Sequence, residues 1–180
     1  VRLQGASVIL PVDDVYEDLE LWYPVLRLRE EGARVVVAGM DAGRTYRGKH
    51  GYPAASDTSF ADIRADDFDG LVIPGGFAPD KLRRDPRVLE LTRTFDAAQK
   101  LVAYICHAGW IPISAGIVRG RTVTSTPGIR DDLVNAGAQW VDEAVVVDGH
   151  HVTSRKPADL PDFLREIITF LERWREAHSR

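Results

Sequence analysis

The only cysteine of the chain, Cys106, stands directly behind the apolar run Leu101-Val102-Ala103-Tyr104-Ile105 and ahead of His107-Ala108-Gly109-Trp110. A thiol attacks as its thiolate. His107 supplies an imidazole in the next position, yet successive side chains of a regular strand point to opposite faces. Only a sharp turn brings that ring near the sulfur. A strand that ends in such a turn and passes into a helix is the nucleophile-elbow layout of hydrolases. The first N–H groups of the helix are unpaired and partly positive, so the pattern predicts a Cys106 pKa below the free-thiol value of about 8.5. A buried filler cysteine fits the same apolar run.

A tetrahedral oxyanion needs donors, and a second stretch offers them. Gly70-Leu71-Val72-Ile73-Pro74-Gly75-Gly76 reads as a buried strand running into a double glycine. Two glycines let the backbone bend and expose N–H groups to a ligand, and they also make a plain turn. The candidate oxyanion donors are the N–H groups of Gly75 or Gly76 and of His107, the residue after the nucleophile. His50 and the pair His150-His151 offer no spacing with the three or four ligands of a zinc site, so they read as surface or pocket histidines. Neither a metal nor a cofactor is expected. Tyr104 and Trp110 read as packing residues.

These residues need a scaffold, and hydrophobic patterning describes it. Ala6 to Val12 is an apolar run bounded by Gly5 and Asp13-Asp14, the mark of a strand buried on both faces. Leu19, Trp22, Tyr23 and Leu26 follow at helical spacing, with Gly32 placed to end the helix and Pro24 expected to kink it. Arg34 to Gly39 is a second strand, and Arg44 to Ala55 suggests a small antiparallel excursion. Helix is expected from Pro86 to Lys100, after Cys106 to about Gly116, and near Ile129 to Ala136. Arg121 to Ser125 and Ala144 to Asp148 read as strands. Leu160, Phe163, Leu164, Ile167, Ile168, Leu171 and Trp174 trace one apolar stripe of a final helix. Strands alternating with helices imply a parallel sheet covered on both faces, whose ligands bind beyond the carboxyl ends of the strands. Asp13 to Glu17, Gly75 to Asp80 and Cys106 to Gly109 all leave strands at that edge.

At 180 residues one domain spanning 1–180 is expected, and the net charge of −4 with interleaved basic residues recommends no nucleic-acid partner. No apolar run approaches the roughly 18 residues of a membrane span, and Val1-Arg2-Leu3-Gln4-Gly5 lacks a signal-peptide core, so the expected location is cytoplasmic. One cysteine forms no internal disulfide, which suits a reducing compartment.

Several ordered stretches together resemble the PfpI intracellular peptidases of the ThiJ/PfpI superfamily. They are Glu17-Asp18-Leu19-Glu20-Leu21, Gly48-Lys49-His50-Gly51-Tyr52, Ile73-Pro74-Gly75-Gly76-Phe77-Ala78-Pro79-Asp80, Ile105-Cys106-His107 and Pro127-Gly128-Ile129-Arg130-Asp131-Asp132-Leu133. The match continues through Val147-Asp148-Gly149 and Ser154-Arg155-Lys156-Pro157-Ala158-Asp159-Leu160. The resemblance implies an α/β fold, a flavodoxin-like three-layer sandwich of the class I glutamine amidotransferase type with a nucleophile elbow. It also implies a nucleophilic Cys106 beside His107 and a carboxylate touching the sulfur, matched by Glu17 with Glu20 in support. A thiolate nearby disfavours an ionised carboxylate, so Glu17 is expected to share its proton with the sulfur; a surface acid capping the first helix fits the same position. The resemblance further places the acid that completes a triad with His107 in a neighbouring subunit of a homo-oligomer. The matching position is Asp80, where the family more often has glutamate. A helix-capping aspartate fits the same position. Ala108-Gly109 stands where Gly-Pro is common.

The function expected is cysteine-dependent hydrolysis of an amide or related carbonyl in a peptide or small carbonyl substrate. The same Cys–Glu pair serves glyoxalase- and deglycase-like enzymes that act on methylglyoxal or its adducts, and the sequence does not separate the two chemistries. A non-enzymatic redox sensor would use the same thiolate. A glutamine amidotransferase would need a late His-x-Glu pair, whereas Val152, Thr153 and Ser154 follow His151.

Overall fold

The computed structural model describes residues 1–179. Its first half runs β1 (Ser7–Pro11), α1 (Asp18–Glu30), β2 (Arg34–Gly39), β3 (Thr45–Arg47), β4 (Pro53–Ala55), β5 (Thr58–Ser59) and β6 (Gly70–Ile73). Then come α2 (Ala78–Leu82), α3 (Pro86–Ala97), β7 (Leu101–Ile105), α4 (Trp110–Ala115), β8 (Thr122–Val123) and α5 (Arg130–Asn135). The chain closes with β9 (Gln139–Trp140), β10 (Val145–Asp148), β11 (His151–Ser154) and α6 (Leu160–His178).

Seven strands form the central sheet in the order β10-β11-β7-β6-β1-β2-β5, all pairs parallel except the β10–β11 hairpin. The central strands β6 and β7 are apolar and buried at every residue because both faces are covered. One helical layer pairs α1 with α6, and a second packs α3 on β6 and β7 with α2, α4 and α5 beside it. This is the expected flavodoxin-like sandwich. No helix among the described residues is long and apolar enough to cross a membrane.

Two departures from the sequence reading matter for the layout. The Arg121 to Ser125 segment contributes only Thr122–Val123, paired in parallel with β9 in a separate two-stranded sheet. The edge of the main sheet is instead closed by β10, and β11 lies between it and β7, its polar run His151 to Ser154 buried. The antiparallel excursion is real: Thr45, Tyr46 and Arg47 pair with Ala55, Ala54 and Pro53.

Glu17 caps α1, its carboxylate accepting the Glu20 N–H at 2.8 Å. Pro24 lies inside α1 and is buried, where its missing N–H leaves the Glu20 carbonyl without its helical donor. The stripe on α6 is the strongest packing feature, with Phe163, Leu164, Ile167, Ile168 and Leu171 all essentially inaccessible. Phe163→Ala is expected to cost about 3–5 kcal/mol, the usual range for truncating a buried aromatic. Arg165→Ala, on the exposed side of the same helix, should stay within about 0.5 kcal/mol; urea unfolding of both variants checks the pair.

Candidate active site

β7 ends at Ile105 in extended backbone, and Cys106 follows in the left-handed region at φ 62°. A non-glycine residue there costs about 1–2 kcal/mol. Residues Cys106–Gly109 make one 3-10 turn before α4 begins at Trp110. The turn does what adjacency in a strand forbids, and His107 Nδ1 comes to 3.3 Å from Cys106 Sγ. The imidazole is held between rings, stacked on Phe77 at 6.4 Å and tilted against Trp110 at 5.1 Å. Trp110, expected only to pack, thus helps to hold the imidazole, and its Nε1–H donates to Asp132 at 3.0 Å.

The carboxyl beside the sulfur is Glu20, which corrects the assignment of Glu17. Glu17 is spent on capping α1, its Oε2 held by the Glu20 N–H and its Oε1 3.9 Å from His50 Nε2. Glu20 lies one turn further on, fully buried, and turns its side chain toward the elbow. Its Oε1 accepts the Gly75 N–H at 2.9 Å, and the Cys106 thiol is a hydrogen-bonding partner of the same carboxyl. Burial, with the charge of Glu17 added, pushes the Glu20 carboxyl up to about 8.

Cys106 also departs from expectation. Burial, and then the charge of Glu20 where it is ionised, push the thiol up to about 12, against the backbone N–H groups of His107 and Gly76 and the Lys49 ammonium. The helix argument fails here because the sulfur sits on a 3-10 turn and loses more solvation than two amides return. His107 is lowered by burial and by Lys49, so its ring is neutral at neutral pH. Lys49, to which the sequence reading gave no role, is the cation that acts on all three groups.

The donors are now separable. The Gly75 N–H is committed to Glu20, whereas the N–H groups of Gly76 and His107 both point to the sulfur. Gly76 sits at φ 83°, and a Cβ there would lie 2.5 Å from both the Glu17 nitrogen and the Val15 carbonyl oxygen. Asp80, in the first turn of α2, pairs within its own chain with Arg84 at 2.6 Å, and among the described residues it makes no hydrogen bond to His107. Asp18 pins the segment that carries Lys49, accepting the N–H groups of His50 and Tyr52 at 3.0 Å each.

The pattern of the DJ-1/PfpI family matches residues 6–170. The chain belongs to the DJ-1/PfpI family. It is 48% identical over 166 residues to "Deglycase PH1704" of Pyrococcus horikoshii, covering 92% of this chain and 99% of that one. It is 42% identical over 166 residues to "Putative cysteine protease YraA" of Bacillus subtilis, covering 92% and 98%. Among solved structures, a two-domain protein containing DJ-1/ThiJ/PfpI-like and ferritin-like domains from Anabaena variabilis superposes with a TM-score of 0.89 at 38% identity. That match covers 91% of this chain and 47% of the longer one. Membership in the DJ-1/PfpI family accords with the sheet order and the elbow described above.

Glu20 yields a pH test. Its carboxyl is raised from 4.5 to about 8 on folding, so the native state binds the proton more tightly than the unfolded chain. Stability from this group therefore falls as pH rises from about 4.5 to about 8. Glu20→Gln should be increasingly more stable than the wild type across that window, with the gap level above it, in urea midpoints taken at several pH values. A gap that is constant with pH would show that the buried carboxyl is not the titrating group.

Proposed function

We propose that this chain is a cysteine-dependent hydrolase in which Cys106 attacks an amide or related carbonyl carbon of a peptide or small carbonyl substrate. The observation that carries this reading is the 3.3 Å approach of His107 Nδ1 to the sulfur, with the N–H groups of Gly76 and His107 aimed at the same atom. As the S–C bond forms, the thiol proton passes to the neutral His107 ring, and the carbonyl electron pair moves onto oxygen beside those N–H groups. Collapse expels the amine, which takes the proton from His107. Water then cleaves the thioester by the same route.

A second reading has its own observation. Glu20, protonated below about pH 8, sets an acidic proton beside the sulfur, which suits removal of a 2-oxoaldehyde adduct from an amine or thiol. The relative named as a deglycase supports it, as the relative named as a putative cysteine protease supports peptide cleavage. Parallel assays on a peptide and on a methylglyoxal-modified amine, with wild type and Cys106→Ser, decide between them. Consumption of neither, with oxygen added to Cys106 by mild peroxide, would leave a redox role instead.

If neutral His107 accepts the proton, kcat/KM should fall on the acid side only below pH 6.5, the ordinary histidine value from which burial lowers this ring. The acid limb should disappear in His107→Ala together with most of the rate.

The reading extends to a homo-oligomer with its site at a subunit boundary. Phe77, stacked on His107, is exposed, as are Leu19, Leu26 and Tyr52 in the groove beside Glu17 and His50. Asp80 of a second copy would then face His107. Mixing Cys106→Ser with Asp80→Ala subunits should restore part of the activity, because some boundaries join an intact Cys106 to an intact Asp80. Full activity of Asp80→Ala alone would remove Asp80 from the site.

A further inference from the structure

Away from the elbow, where β7 begins rather than ends, three side chains far apart in sequence converge. His150 closes the β10–β11 turn, His151 opens β11, and Asp96 lies in the last turn of α3. The Nε2 atoms of both histidines are 2.7 Å from the same oxygen, Asp96 Oδ1. His151 is wholly inaccessible, His150 nearly so, and the Asp96 side chain is 23% exposed. Tyr104 Oη lies 2.8 Å from His151 Nδ1. The sequence reading treated the histidine pair as surface or pocket residues because no third ligand stood near it. The third donor comes from α3, 54 and 55 residues away.

We propose that Asp96, His150 and His151 form a binding site for a divalent cation of borderline softness such as Zn2+, separate from the Cys106 site. Two imidazoles and one carboxylate are the donor set that suits such ions, and all three ligand atoms lie within 4.8 Å of one another. Bonds of about 2.0–2.2 Å in a tetrahedron set ligand atoms roughly 3.3 Å apart. Oδ1 therefore has to withdraw by about 0.6 Å from each nitrogen, a small adjustment at these bond lengths. Asp96 is free to do so, since among the described residues its carboxylate bonds to nothing but the two histidines. Its exposure also provides the way in and a fourth position for water.

The histidines are fixed where the carboxylate is not. His151 is paired in register with Val102, and the carbonyl of His150 accepts the Val102 N–H at 2.9 Å. Tyr104 acts on the ring nitrogen that faces away from the cation, the position from which an outer partner orients a metal-bound imidazole. Without a cation, Oη–H donates to Nδ1 and Nε2–H donates to Asp96. With one, the ring proton resides on Nδ1 and is donated to Oη, while Nε2 offers its lone pair. The proton changes place within the ring system, so a neutral His151 releases none. Arg121, whose positive charge acts on His151, is countered by Asp148 at 3.6 Å.

Titration of the purified full chain with Zn2+, and with Co2+ followed by its visible absorption, tests the site. One equivalent should bind to the wild type and equally to Cys106→Ser, with tetrahedral Co2+ bands and a raised Tm. His150→Gln, at a turn where loss of fold is least expected, and Asp96→Asn should each weaken binding more than tenfold while their metal-free CD spectra stay native. Tyr104→Phe should weaken it about tenfold, as loss of an outer partner does. Absence of saturable binding at micromolar cation would overturn the proposal and leave a hydrogen-bonded clasp only. Binding that survives both His150→Gln and Asp96→Asn but vanishes in Cys106→Ser would equally overturn it, by placing the ion at the elbow.

Discussion

Gly75 is the residue on which three pieces of the chain close. Its N–H is bonded to the Glu20 carboxyl at 2.9 Å, and its carbonyl takes the Glu17 N–H at 3.0 Å, so the start of α1 grips the backbone of Gly75 on both sides. A Cβ at this position would lie 2.5 Å from Glu20 Oε1, 2.8 Å from the Cβ of Cys106 and 3.0 Å from the Ile105 carbonyl oxygen. Only a residue without a side chain lets helix, loop and elbow approach so closely. The carboxyl of Glu20 reaches the sulfur because nothing stands between them. The strained Cys106, at φ 62°, is held from the other side as well, where its carbonyl accepts the Thr126 N–H at 3.3 Å.

The parts of the fold legible in the sequence were those with long apolar runs. The stripe of α6 and the unbroken apolar runs of β1, β6 and β7 carry their burial in their composition, because both faces of such strands are covered. Short or polar elements were not legible. α2 is five residues long with Pro79 near its start, and β11 spells His151-Val152-Thr153-Ser154, a run whose burial depends on neighbours contributed by β7 and α6. There tertiary context overrides local pattern.

The site was legible in its residue types and less so in its contacts. Cys106, His107 and Gly76 are brought together as the motifs implied. Glu17 and Glu20 are three residues apart and share a helix face, so spacing alone does not say which one caps the helix and which one turns inward. The cap falls to Glu17 because its backbone is still extended, at φ −75° and ψ 119°, before α1 begins. The partnership of Asp96 with His150 and His151 left no mark in the sequence, since it depends on where α3 ends relative to the β10–β11 turn.

The protonation pattern bears on how such a buried site can run acyl chemistry. At neutral pH the raised Glu20 and Cys106 and the lowered His107 leave a carboxylic acid, a thiol and a neutral ring, with Lys49 the positive charge that acts on all three. A resting thiolate would need stabilisation that two amides and an exposed lysine do not supply against burial. A neutral resting site avoids that cost, and under the proposed function charge would separate only when a carbonyl arrives to take it. In the proposed hydrolysis the sulfur would give up its proton to His107 while the new negative charge forms on the substrate oxygen, beside the N–H groups of Gly76 and His107. Those donors act little on a neutral thiol and strongly on an oxyanion, which is the condition under which an interaction lowers a barrier rather than merely tightening binding.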